Sequence, residues 1–138
     1  MAKRSIFDEY VPLQKTGESI GKGGFGYVTV MKKKNEPKKK FAVKVLEKSQ
    51  VEMYGTVEDL KNEIEIHRSL DHPYIIKLYD SFEDNLFIYI VTEYATNGNL
   101  NDNLEAVGKF NEKDAFLKFS QALLGIDYLH YNGIIHRD

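Results

Sequence analysis

Residues 21–28 read GKGGFGYV, and the glycines at 21, 23 and 26 fall in the spacing G-x-G-x-x-G. A glycine backbone lets phosphate oxygens come close and can point its N–H groups at them. The spacing alone is weak, because turns in many proteins contain it. The residues after the third glycine decide the reading. In a dinucleotide-binding fold that glycine opens a helix. Here Gly26 runs into Tyr27, Val28, Thr29 and Val30, β-branched and aromatic residues that start a helix badly and a strand well. A Walker loop ends in Gly-Lys-Ser/Thr, and Gly21-Lys22-Gly23 does not supply that. The stretch therefore predicts the tip of a β-hairpin folded over phosphates.

The pattern continues as strands. YVTVM is followed by KKKNEPKKK and then by the alternating FAVKVLE, which reads as strand, turn, strand. The lysines at 32–34 and 38–40 are read as a solvated turn bent by Asn35 and Pro37, not as a nucleic-acid patch. Thr56 and Asp59 have capping-box spacing at the start of a helix, and Val57, Leu60, Ile64 and His67 come next on one face. HPYIIKLYDSF and LFIYIVTEYA read as two further strands around the turn EDN. NGNLNDNL is turn-rich and leads into a short helix. NEKDAFLKFSQALLGIDYLHYNG reads as a long amphipathic helix, capped by Asn111 with Asp114 and stopped near Gly133. Its apolar stripe is Ala115, Phe119, Ala122, Ile126 and Leu129, and an uncovered stripe invites a partner or self-association.

Strands, a helix, strands and then helices predict an α+β fold: a small antiparallel β-sheet lobe with one helix, followed by helices. Residues 1–15 read as a leader, either packed on the domain or mobile. Residues 16–95 form the sheet portion and 96–138 the helical portion, with a composition change near Thr96–Gly98. The 138 residues set a prior of one domain. Hydrophobic and charged contents of 42% and 29% exclude a disordered chain. A net charge of −2 makes no general case for nucleic acid or a membrane surface. No run approaches the ~18 apolar residues of a span, the N-terminus lacks a signal-peptide core, and Ala2 excludes N-myristoylation. The chain has no cysteine, hence no disulfide framework or thiolate metal site, which fits a reducing, intracellular setting.

Lys44 stands inside FAVKV, a strand that otherwise reads as hydrophobic. It is either an edge-strand lysine reaching solvent or a cation aimed at phosphates beneath the glycine hairpin. Glu63 lies at the border of the helix stripe, whereas Glu58 and Glu65 point elsewhere on the helical wheel. A carboxylate beside a buried face needs a cation, since burying an unpaired charge is costly, and Lys44 is the candidate.

Taken together, Gly21-Lys22-Gly23-Gly24-Phe25-Gly26-Tyr27-Val28, Ala42-Val43-Lys44, Glu63 and His136-Arg137-Asp138 resemble, in order, the motifs of the eukaryotic protein kinases. LDHPYIIKLYDSF and YLHYNGIIHRD are similar to the serine/threonine branch, and the resemblance covers about residues 10–138. It implies a kinase-like fold in which residues 16–95 are the small lobe and 96–138 the hinge exit and the beginning of the large lobe, as far as the catalytic loop. It implies that Gly21, Gly23 and Gly26 cover the ATP phosphates with Phe25 at the loop tip, and that Ile20, Lys22 and Gly24 also belong to the ATP-binding set. Val28 and Ala42 would sandwich adenine, and Lys44, held by Glu63, would contact the α- and β-phosphates. Thr92 would be the gatekeeper, Glu93 and Ala95 would offer main-chain hydrogen bonds, and Asn99 would lie near the ribose. Asp138 would accept or orient the proton of a protein-substrate hydroxyl, supported by His136 and Arg137. His67 stands where the family usually has an aliphatic or aromatic residue, and is expected to be a packed core histidine.

ATP and Mg²⁺ are the implied cofactors, with the Mg²⁺ ligands beyond Asp138 and no metal ligand within the chain. The 138 residues are thus expected to be inactive alone. The alternative is a catalytically dead, kinase-like binding module. A small Thr92 implies an open pocket behind adenine. Thr92→Met is expected to abolish binding of inhibitors that fill that pocket while changing ATP affinity little; equal inhibitor binding to both forms would contradict it.

Overall fold

The computed structural model describes residues 5–13 and 19–137. The strands are β1 (Tyr10–Pro12), β2 (Gly21–Gly23), β3 (Gly26–Lys33), β4 (Glu36–Glu47), β5 (Leu78–Glu83) and β6 (Phe87–Glu93). The helices are α1 (Ile6–Glu9), α2 (Lys48–Tyr54), α3 (Val57–Arg68), α4 (Leu100–Val107) and α5 (Glu112–Tyr131). All strand pairs are antiparallel and run in the order β1-β3-β4-β6-β5, with β2 also on β3.

The sheet has an apolar layer on each face because side chains alternate along a strand. Phe41, Val43 and Val45 of β4 join Met31, Phe82 and Val91 in one cluster. Ile6, Tyr10 and Tyr89 complete it. Tyr10 meets Phe41 and Phe82 edge-on, at centroid separations of 5.5 and 5.8 Å. Of the described residues read as a leader, Ile6 and Tyr10 thus belong to the core, while Phe7, Val11 and Leu13 are exposed. On the opposite face Leu46, Ile88 and Leu78 pack with Val51 of α2 and Ile64 of α3, flanked by Val57 and Leu60. His67 is half-buried on that same side of α3. Burying each such side chain contributes about 1.5–3 kcal/mol.

Local chemistry sets the boundaries. Thr56 Oγ1 accepts from the Asp59 N–H at 3.0 Å, and its hydroxyl donates to Asp59 Oδ2 at 2.6 Å, which starts α3. Asn111 does the same for α5, accepting from the Asp114 N–H at 2.9 Å. Gly133 lies just past α5 at φ 72°, the left-handed position that ends helices. The sequence predicts one helix on the sheet, and α2 adds another directly after β4. Strand β5 starts only at Leu78, because residues 71–76 leave the sheet. The turn between β3 and β4 is Lys34-Asn35, and Pro37 lies in an irregular stretch of β4 where Lys33 faces Glu36 but Lys32 faces Lys40. Proline lacks an N–H to give to a ladder, so it belongs in such an unpaired stretch and does not make the turn itself.

The chain separates into two compact units, Met1–Leu70 with Lys77–Tyr94 and Asp71–Ile76 with Ala95–Asp138. In the second unit, residues 71–76 lie on α5. Tyr128 Oη accepts from the Asp71 N–H at 3.2 Å, and the His72 ring stacks on Tyr128 at 4.9 Å. Gly125 allows the approach, since a Cβ there would sit 3.2 Å from the Tyr74 carbonyl oxygen. Of the stripe read on α5, Leu129 is buried, while Phe119 and Ile126 are exposed.

Gly26 is fixed by packing: a Cβ on it would lie 1.9 Å from the Val45 carbonyl oxygen. Gly26→Ala is therefore expected to destabilise the fold by about 1–3 kcal/mol, as overpacking does. Gly21→Ala, with nothing within 4 Å of its Cβ position, is expected to leave stability unchanged. Urea unfolding of both variants checks this, and equal midpoints would contradict it.

Candidate functional site

The glycine stretch folds as a β-hairpin, as the sequence predicts, and its turn has two residues. Gly23 faces Gly26, Lys22 faces Tyr27 and Gly21 faces Val28, with Gly24 and Phe25 at the turn. The Ile20 N–H extends the ladder by donating to the Val28 carbonyl at 2.9 Å. Nothing lies within 4 Å of a Cβ placed on Gly21, Gly23 or Gly24, and none of the three has a positive φ. Neither internal packing nor backbone conformation requires glycine there. Side chains would only fill open space over the hairpin, which is the space a phosphate group needs if backbone is to approach it.

Beside the hairpin, register places the other candidates on one face of the sheet. Val28, Lys44 and Ile90 form one cross-strand row, and Val30, Ala42 and Thr92 form the next. Val28, Ala42, Ile90 and Thr92 are half-buried, while Lys44 is exposed. A half-buried apolar strip next to an exposed ammonium suits a flat apolar ring joined to an anion. Thr92 Oγ1 donates to the Ala42 carbonyl at 3.5 Å, the outer limit of such a bond. Ile90 is absent from the sequence-based set. The signal was available, because the period of two along LFIYIVT puts Ile88, Ile90 and Thr92 on one face once Thr92 is placed.

Strand β4 pairs with β3 on one side and β6 on the other, so Lys44 is not an edge-strand lysine. The expected Lys44–Glu63 ion pair is not formed in this structure: both side chains are exposed and no ion pair joins them. The premise of a carboxylate beside a buried face fails because Glu63 is solvated, and a solvated carboxylate has no burial cost to relieve by pairing. Helix α3 is positioned instead by Ile64, by Arg68 Nη2 donating to Ser81 Oγ at 2.7 Å, and by Lys61.

Glu83, at the end of β5, receives Lys61 at 3.2 Å and Lys48 at 3.1 Å, tying both helices to the sheet. Burial alone would raise its pKa, but the two ammonium groups outweigh that and hold it below the ordinary 4.5. Asp84 also titrates low. Burial opposes this, and the N–H groups of Phe87 and Leu86 and the Tyr89 hydroxyl prevail. Tyr89 is pushed well above the usual phenol range by burial and by Asp84.

The Glu93 N–H donates to the Lys77 carbonyl at 2.8 Å, so that backbone donor is already engaged. Ala95 and Asn99 belong to the second unit. Asn99 caps α4, its Oδ1 accepting from the Asp102 N–H at 2.8 Å. His136 and Arg137 are exposed, and Arg137 has φ 63°, left-handed and uncommon for a residue with a long side chain. Asp138 lies outside the described residues. Among the described residues no group of three or more His, Cys, Asp or Glu could hold a metal, and no helix is long and apolar enough to cross a membrane.

The family model "Protein kinase domain" matches residues 14–138. The chain is 35% identical over 134 residues to a calcium/calmodulin-dependent protein kinase type 1 of Macrobrachium nipponense, covering 97% of this chain and 37% of that one. It is 40% identical over 119 residues to calcium-dependent protein kinase 4 of Plasmodium falciparum, covering 86% and 22%. It is 37% identical over 120 residues to the serine/threonine-protein kinase SIK2 of Gallus gallus, covering 87% and 15%. The fold is similar to that of Rad53 1–466 in complex with AMP-PNP, at a TM-score of 0.83, 31% identity, and coverage of 96% of this chain and 33% of that one. The chain thus spans little more than a third, or less, of the curated relatives named here.

A carboxyl whose pKa is lower in the folded state than in the unfolded state stabilises above the unfolded value, and that contribution disappears as pH falls through the folded one. Wild-type stability is therefore expected to fall more steeply below pH 4.5 than that of Glu83→Gln. Thermal unfolding of both across the acid range checks this, and parallel pH curves would contradict it.

Proposed function

The chain belongs to the protein kinase family, and on that footing we propose that it is the ATP-binding part of a serine/threonine protein kinase. The carrying observation is the register that sets Val28 of the glycine hairpin beside Lys44 of the middle strand. ATP, bound with Mg²⁺, supplies the γ-phosphoryl group for transfer to a protein hydroxyl. The open backbone of Gly21, Gly23 and Gly24 gives phosphate oxygens room, with Ile20, Lys22, Phe25 and Gly26 completing the hairpin. Val28, Ala42 and Ile90 offer apolar contact to adenine, and Thr92 bounds the pocket behind it. The family resemblance assigns backbone hydrogen bonds to Glu93 and Ala95 and a ribose contact to Asn99. Lys44 neutralises the α- and β-phosphates, and Glu63 orients it when α3 brings the two together. Asp138 orients the acceptor hydroxyl, with transfer resting on positioning and electrostatic stabilisation.

The family's Mg²⁺ ligands are not among these 138 residues, so the chain alone holds nucleotide without completing transfer. The neighbour bound to AMP-PNP, an ATP analogue, supports ATP as the ligand, and the relative named a serine/threonine-protein kinase supports the acceptor class. An ATP requirement supports an intracellular setting, cytoplasmic or nuclear, where ATP is abundant. The second reading is a catalytically dead nucleotide-binding module, favoured by the unformed Lys44–Glu63 pair.

Titration of the chain with a fluorescent ATP analogue is expected to saturate, with affinity about tenfold weaker in Lys44→Met, the loss of one charge-assisted contact. Absence of saturable binding would overturn the proposal. Mg²⁺-dependent transfer by a form that includes the family's metal-binding motifs, lost in Lys44→Met, separates the kinase from the dead module.

A further inference from the structure

The glycine hairpin is poorly anchored by its own residues. Strand β2 has three residues, all exposed, and the positions over Gly21, Gly23 and Gly24 meet nothing within 4 Å. Short segments with few buried contacts open easily. Beyond Gly26, packed against Val45, Phe25 at the turn anchors the tip. Its carbonyl accepts from the Glu47 N–H at 3.1 Å. Its ring meets the Tyr54 ring at a centroid separation of 5.3 Å and an interplanar angle of 79°, the edge-to-face arrangement that aromatic pairs favour.

Tyr54 is held firmly enough to act as a post. It is the last residue of α2, whose Val51, three positions earlier on the same side, is buried in the core cluster beneath α3. Lys48, at the other end of α2, bonds Glu83 at 3.1 Å and the Asp84 carbonyl at 2.6 Å. The hairpin tip is thereby tied at the backbone to Glu47, which caps the start of α2, and at the ring to Tyr54, its last residue. Yet Tyr54 is itself 73% exposed. Core packing does not explain a large aromatic ring there, whereas the contact with Phe25 does.

We infer that Tyr54 is a positioning residue for the nucleotide: through Phe25 it holds the glycine hairpin at the height where its backbone meets the phosphates. This rests on the ATP reading above. The ring makes the contact and the hydroxyl is dispensable.

The test uses the full 138-residue chain with two readouts: hydrogen exchange of residues 21–26 without nucleotide, and affinity for a fluorescent ATP analogue. In Tyr54→Ala, hairpin exchange is expected to quicken and affinity to weaken, each by about three- to tenfold, the range of one aromatic pair. Tyr54→Phe is expected to restore both. Phe25→Ala is expected to match Tyr54→Ala, and the double variant to lose no more than either alone, which separates a lost contact from a damaged α2. Unchanged hairpin exchange in Tyr54→Ala overturns the inference whatever the nucleotide does. Additive losses, or failure of Tyr54→Phe to restore, also overturn it. A wild-type chain that shows the exchange pattern but binds no nucleotide overturns instead the ATP reading, and with it the positioning role, while retaining the ring contact.

Discussion

The candidate site depends on β4 being hydrogen-bonded along both of its edges. Between β3 and β6, the strand is paired on both sides from Phe41 to Leu46. That double pairing fixes which side chains point to which face, because a slip of one residue would exchange the faces completely. Phe41, Val43 and Val45 go to one apolar cluster and Leu46 to the other, which makes the register costly to change. Lys44 is placed by this constraint. It stands on the face with Leu46, where an ammonium in a strand interior has no packing role.

The glycine hairpin is tied to the same strand. Gly26 lets β3 approach Val45 so closely that no side chain fits, whereas the glycines at 21, 23 and 24 leave the outer side of the hairpin bare. One glycine thus serves the fold and three serve the space above it. The division explains how a motif with a single spacing can contain residues of two kinds, one sensitive to substitution through stability and the others through what they admit.

Much of this was legible in the sequence. The β-branched run after Gly26 announced a hairpin, and alternation through FAVKVLE and LFIYIVTE set the faces of β4 and β6. Thr56 and Asn111 marked helix starts by their capping chemistry. Less was legible where tertiary contacts decide. Nothing local in KSQVEMY distinguishes α2 from the tail of a strand; burial of Val51 and the Lys48–Glu83 bond make it a helix there. Residues 71–76 contain the apolar pair Ile75-Ile76 and read as strand, but the Tyr128 hydroxyl and the glycine at 125 hold them on α5 in the second unit. A buried Glu63 would need Lys44 as its partner, and exposure of that carboxylate removes the reason for the pair in this structure.

The central claim is that one sheet face, defined by the register of β4, receives the nucleotide. Backbone amide shifts of the isotopically labelled chain, recorded with and without an ATP analogue, test it most directly. The largest changes are expected on Gly21–Gly26, Val28, Ala42, Lys44, Ile90 and Thr92, with the opposite face at Val43 and Val91 little affected. Changes centred on the lysine-rich turn at 32–40, or spread evenly over both faces, would contradict it.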